Sequence, residues 1–257
     1  MGWVFGTGLL WMLGAALSVC AQGFSDGEAV ERAGTGEINW TNGWITAKGI
    51  GTPPANAGPE QAKALAERAG YIVALRNLLE IVKGVRVDSE TVMDNYLGKN
   101  EVIRIRVNGF IRGAQIVKTD PRPDGSAAVT VKMPLWGAES IVTALMAEKS
   151  VRSYELPGES DSERGHTGLV IDARGLGVNP ACFPSILDET GAVLYGPETV
   201  DRAAVEKTGL AEYHALPKGA DLSSMFGGQA YIVRPVQITA APREGRRPLK
   251  IKGGNHA

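Results

Sequence analysis

The stretch Asp172-Ala173-Arg174-Gly175-Leu176-Gly177 follows an apolar run, Gly168 to Ile171, and poses a chemical choice: a glycine turn can cradle a phosphate or only shape the chain. Phosphate binding needs strand, glycines and a helix N-terminus together, because the amides at that terminus hold the anion. Here the third glycine is missing and Pro180 arrives where the helix should begin, so the turn reads as a backbone device. Cys182 lies beside Phe183 in an apolar segment, which favours a buried, inert thiol over a nucleophile. His166, His214 and His256 are too scattered to put two imidazoles on one face, so no metal site is expected. No G-x-S-x-G elbow occurs, and Lys207-Thr208-Gly209 reads as a helix end. Asp120 and Asp124 resemble calcium-loop ligands, but the bidentate Glu is absent and a tight hairpin accounts for them. Arg104 and Arg106, and Asp172 with Arg174, read as solvated or paired groups on the outer face of a sheet. No acid, base and oxyanion donors assemble, so neither a catalytic residue nor a cofactor is assigned.

The elements that carry these residues follow from pattern. The chain has 257 residues, 44% of them hydrophobic, enough for one large or two modest domains. Its formal net charge of -1 gives no field that would draw nucleic acid. With 33 glycines and 14 prolines and no repeating triplet, many turns and short strands are expected. Residues 1–21 form an uncharged apolar core with a small-residue exit, the pattern of a signal peptide cleaved between Ala21 and Gln22. A basic leader is missing from it. Cys20 is a candidate acylation site, although Val19 stands where a lipobox carries Gly, Ala or Ser. Removal of that segment leaves Cys182 as the only thiol and excludes an internal disulfide.

Residues 22–37 are polar and Gly-rich and read as a flexible mature N-terminus; order is expected from Ile38. "WITAKGIG" has strand character. Pro59 to Gly84 is a long helix with Pro at its start and Lys83-Gly84 at its stop. Ala62, Leu65, Ala66, Ala69, Ile72, Val73, Leu79 and Val82 define its expected apolar face. Ile103, Ile105 and Val107 alternate with Arg104 and Arg106, so Val102 to Asp120 reads as a long strand, or two broken at Asn108-Gly109. It turns at "DPRPDGS" into a returning strand with Val129, Val131, Met133 and Leu135 on one face. Ala138 to Lys149 is a second, shorter helix.

The expected fold is α+β: a 38–150 domain with the long helix packed on an antiparallel sheet, a 151–166 linker, a smaller strand-rich domain over 167–241, and a basic flexible tail over 242–257. In the second domain "GLVID", "CFPSILD", "AVLYG", "AEYHAL" and "AYIVRPVQITA" are strand candidates. "ETG" joins one hairpin, and a helix is expected between Glu198 and Lys207.

From Trp44 to Glu148 the order "ITAKGIG", "PEQAKALAERAGYIVALRNLLEIVKGVRV", "VIRIRVNGFIRGAQIV" and "AAVTVKMPLWG" resembles the domain shared by the twenty-kilodalton outer-membrane lipoprotein family and the N-terminal region of flagellar assembly protein T. The segment "GLVIDARGL" through "LYG" is similar to the second half of longer members from flagellated bacteria. The resemblance implies a non-enzymatic protein exported to the periplasm or outer membrane. It would act in surface structure or flagellum assembly through contacts with envelope or flagellar proteins, in an oligomeric assembly. A periplasmic module that binds glycan or peptide is the alternative, and Trp40, Trp44 and Trp136 are the aromatics that could line its site. A hydrolase would require a cleft uniting His214, Asp172 and a serine.

Overall fold

The computed structural model describes residues 27–147, 168–188, 190–226 and 230–235. The signal-peptide and acylation residues Cys20, Ala21 and Gln22, the 151–166 linker and the 242–257 tail lie outside them. The architecture is α+β. Strands β1 (Val30–Ala33), β2 (Gly36–Asn39), β3 (Trp44–Gly51), β4 (Gln115–Pro121) and β5 (Ala127–Pro134) form one antiparallel sheet in the order β1-β2-β3-β5-β4. Helix α1 (Pro59–Lys83) packs across its centre, mainly on β3 and β5.

Order begins before Ile38. Val30 pairs with Asn39 and Ala33 with Gly36 in a tight hairpin turned at Gly34, so much of the stretch read as flexible is strand. Polar composition concealed it, because the pairing partner rather than intrinsic propensity decides a strand of this kind.

The alternating faces of β3 and β5 set the layer. Ile45, Ala47, Gly49 and Gly51 on β3, with Val129, Val131 and Met133 on β5, are buried against α1. Trp44, Thr46, Lys48 and Ile50 on the other face are intermediate or exposed. The helix presents Ala66, Gly70, Ala74, Leu78 and Val82, an i, i+4 stripe, to the sheet. This corrects the expected face: Leu65 and Ile72 are exposed at 40% and 53%. Large aliphatics are excluded from the Ala66–Gly70–Ala74 part of the seam because the backbones nearly touch. A β-carbon at Gly51 would lie 2.1 Å from the Gly70 amide nitrogen.

The second correction concerns Val102 to Asp120. Its first half is helix α3 (Glu101–Arg112), preceded by α2 (Met93–Lys99), and only from Gln115 does it run as strand. Asn100 caps α3 by accepting a 3.0 Å hydrogen bond from the Ile103 amide. Ile103, Val107 and Ile111, spaced by four, are buried, whereas Ile105 is 62% exposed. The Ile-Arg alternation satisfied period two, but burial follows the helical period. Arg104 and Arg106 therefore stand on a helix, not on the outer face of a sheet, and Arg104 pairs with Glu101 at 3.1 Å.

The β4–β5 turn is a hairpin in which Asp124 accepts from the Ser126 amide and hydroxyl, with Gly125 at φ +79°. Helix α4 (Ile141–Met146) is shorter than expected and is capped by Ser140.

Beyond residue 168 the described elements are β6 (Gly168–Ile171), β7 (Ile186–Leu187), β8 (Val193–Tyr195), α5 (Arg202–Thr208), α6 (Leu222–Phe226) and β9 (Ala230–Val233). β7 and β8 form the expected hairpin, and α5 ends at Gly209. β6 pairs with β9 in parallel. "AEYHAL" makes only an isolated bridge, His214 to Glu28, because its neighbours bond to loops instead of a strand.

This region completes the core of the first. Cys182, Phe183, Val205 and Leu210 are buried in the same apolar cluster as Trp40, Val85 and Met146. The amides of Cys182 and Phe183 donate to the carbonyls of Arg86 and Val87 at 3.0 and 2.8 Å, and Gly137 donates to Glu206 at 2.7 Å.

Candidate functional site

Three places gather the residues to which the sequence pointed. The Asp172 turn sits at the end of parallel strand β6, where the Asp172 amide donates to Val233 across to β9 at 2.8 Å. Arg174 Nε donates to its carboxylate at 2.7 Å, and Arg234 Nε donates to the same group at 3.2 Å. The Arg174 Nη1 group also reaches the Pro217 and Ala220 carbonyls at 2.9 and 3.0 Å, so this side chain ties the strand end to a distant loop. Its own pKa is raised by the Asp172 hydrogen bond, and that same bond holds the Asp172 carboxyl at about 2. Gly175 and Gly177 adopt φ +85° and +70° with open space around them, and no helix follows before Pro180. The turn serves shape.

His214 is occupied elsewhere, with Nε2 2.9 Å from Glu212 and its ring edge-on to Phe226 at 5.3 Å. Asp172 and His214 thus have separate sets of partners. Cys182 is buried, as its apolar setting predicted.

The second place is a clamp around Trp40, which is 1% exposed and so takes no part in an open aromatic site. Its indole donates to Glu31 at 3.1 Å and meets Tyr213 edge-on at 5.9 Å. Arg86 lies over the indole at 5.8 Å, pairs with Glu31 through both terminal nitrogens, and donates from Nε to the Pro180 carbonyl at 2.7 Å. Tyr213 Oη donates to the Ala181 carbonyl at 2.9 Å, and burial pushes its phenol above the ordinary range. These contacts stitch β1 to the segment after Pro180. They are structural chemistry.

The third place is concave. A cavity of about 340 Å³ opens where the start of β3, the end of β5 and the α3–β4 junction meet. Such a volume lies near the lower end of small-ligand pockets, roughly 300–1,000 Å³. Trp44, Phe110 and Trp136 supply aromatic wall, and Asn42, Gln115, Lys132 and Glu139 supply polar groups. Lys132 and Trp44 sit on adjacent strands, two registers apart, and the ammonium lies 4.0 Å from the indole centroid. That is a close cation–π contact. Trp136 is wedged between two glycines: a β-carbon at Gly43 would lie 2.3 Å from its Cε2, and one at Gly209 would lie 3.0 Å from its Cε3. Both glycines have positive φ, so bulk and side-chain chirality alike are excluded there.

The sequence named Trp44 and Trp136 but not their neighbours. Lys132 hid within a hairpin strand, and Phe110 and Gln115 hid within a stretch read as one long strand or two broken at Asn108-Gly109. The only usable signal was Gly43 beside a tryptophan, a glycine making room for a ring.

Among the described residues no helix is long and apolar enough to cross a membrane. Residues 168–255, about a third of the chain, match a family model described as Treponema pallidum Tp0624, second domain. Comparison with curated proteins finds no match.

Proposed function

We propose that this is a non-enzymatic, exported cell-envelope protein, a structural or assembly component of the flagellum or outer membrane that works through protein–protein contacts within an oligomeric assembly. The observation that carries the reading is a set of exposed aliphatics on consecutive elements. Val102 and Ile105 on α3 are 56% and 62% exposed, and Ile116 and Val117 on β4 are 57% and 54% exposed. Single exposed apolar residues are ordinary, and this run of them on successive elements supports a contact surface. β4 is a sheet edge, and its bulge, Lys118 and Pro121 are features that oppose indiscriminate edge pairing. A guarded edge beside bare aliphatics suits one specific partner. The resemblance of residues 44–148 to the lipoprotein and flagellar-assembly domain supports the envelope setting. The test is deletion of the gene in the native host, with swimming motility measured and basal bodies imaged. Lost motility with an altered envelope ring is the expected result, and intact rings with normal swimming would remove the flagellar role.

A second reading, a periplasmic module that binds glycan or peptide, is favoured by one observation: Trp44 and Trp136 line the same cavity. Retention of the protein on immobilised peptidoglycan or peptide, lost in Trp44→Ala, is its test.

A further inference from the structure

The polar groups of the cavity are unequally used. Asn42 is committed, since its side-chain amide donates to Glu28 at 2.8 Å. Lys132 is half-buried, and among the described residues its ammonium has the Trp44 ring but no carboxylate within salt-bridge distance. Long cations on a sheet surface ordinarily extend to water or to an acid. Glu139 also lines the cavity; it is exposed, and it likewise has no basic partner among the described residues. Its backbone is held at φ +56°, the one non-glycine residue in the left-handed region among those described. It stands between Gly137 at φ +95° and Ser140, the cap of α4.

One cation and one anion, each without a partner of opposite charge, therefore stand in the same aromatic-walled cavity. A neutral sugar would leave both charges unmatched. A ligand with a carboxylate, an ammonium and an apolar body matches both charges and the aromatic wall. We propose that this cavity binds a zwitterionic amino-acid or short-peptide ligand, with Lys132 receiving its carboxylate, Glu139 its ammonium, and Trp44, Phe110 and Trp136 its side chain. The inference rests on the binding-module reading and narrows it from glycan or peptide to peptide.

Calorimetric titration of the full chain with the dipeptide alanyl-leucine tests it, alongside the C-terminal amide, the N-acetyl form and chitotriose. The expected result is saturable binding of the dipeptide, weakened at least about tenfold by either modification, which is the scale of one lost charge contact. Lys132→Gln should weaken the dipeptide as amidation does and leave the amide's affinity unchanged. Glu139→Gln should stand in the same relation to acetylation. Neither side chain belongs to the buried core, so circular dichroism should report a retained fold. Equal affinity for acid and amide, or binding indifferent to Lys132→Gln, overturns the assignment. Binding of chitotriose in place of the dipeptide, abolished by Trp44→Ala, would preserve the binding module and overturn the peptide inference. Absence of heat with all four ligands at millimolar concentration would overturn both.

Discussion

Gly49 and Gly70 meet backbone to backbone: a β-carbon on the strand residue would lie 2.3 Å from the helix residue's carbonyl oxygen. Helix and sheet are thereby brought closer than side-chain packing permits, and the seam continues through Gly51 and Ala66. Burial of Ala47, Ala74 and Leu78 depends on that approach.

Gly49→Ala should accordingly destabilise the fold by about 1–3 kcal/mol, because the clash is with fixed backbone and not with a side chain that can swing away. Gly109→Ala is the control. It lies in the interior of α3 with nothing within 4 Å of its β-carbon, and should stabilise by roughly 0.5–1 kcal/mol. Urea denaturation of both variants separates a steric effect from a general intolerance of substitution.

The Arg86 clamp predicts a non-additive pair. Arg86→Met removes the Glu31 pairing, the Pro180 hydrogen bond and the contact with Trp40, and should cost about 1–3 kcal/mol, since both charged side chains are roughly three-quarters buried. Glu31→Gln weakens the same network from the other end. A double-mutant cycle should give a coupling of about 0.5–3 kcal/mol, whereas independent surface charges would add within a few tenths.

How much of this was legible depended on how local the signal was. Pro59 and Lys83-Gly84 bounded α1 because start and stop chemistry is written in adjacent residues, and the Asp124-Gly125 and Thr190-Gly191 turns were readable for the same reason. The buried face of α1 was misread because its centre is Gly70, a residue that hydrophobic counting ignores. α3 was misread because Ile103, Ile105 and Val107 satisfy period two, although the buried stripe is Ile103, Val107 and Ile111, and only the Asn100 cap favoured the helix. β1 and β2 depend on pairing that composition does not record. The cavity needed Trp44, Phe110, Lys132 and Trp136 brought together from separate elements, and no window of sequence spans them.

The cap of α3 offers a direct check on that helix. Asn100→Ala removes the bond to the Ile103 amide and should cost about 1 kcal/mol, while Asn100→Asp should retain it. If chemical denaturation found Asn100→Ala neutral, the start of α3 would not depend on its cap.

Asp172 sets an acid limit. Its carboxyl is held at about 2 against an ordinary 3.8, chiefly by the hydrogen bond from Arg174, with backbone and charge contributions opposing the cost of burial. A carboxylate whose folded pKa is depressed contributes stability that is present in full above the unfolded value and is lost as pH falls through the folded one. The window therefore runs from about pH 5 down to about pH 2. The contribution should be about 1–2 kcal/mol, reduced from the full shift because Arg234 is 78% exposed and its share is screened. Asp172→Asn should lower stability at pH 7 and flatten its decline between pH 5 and pH 2. Thermal melting across that range in both proteins decides the matter, and parallel curves would place the acid sensitivity in other carboxylates. Because Arg174 also holds the Pro217 and Ala220 carbonyls, the same titration should loosen the 217–220 loop before the main sheet, visible as earlier amide exchange there.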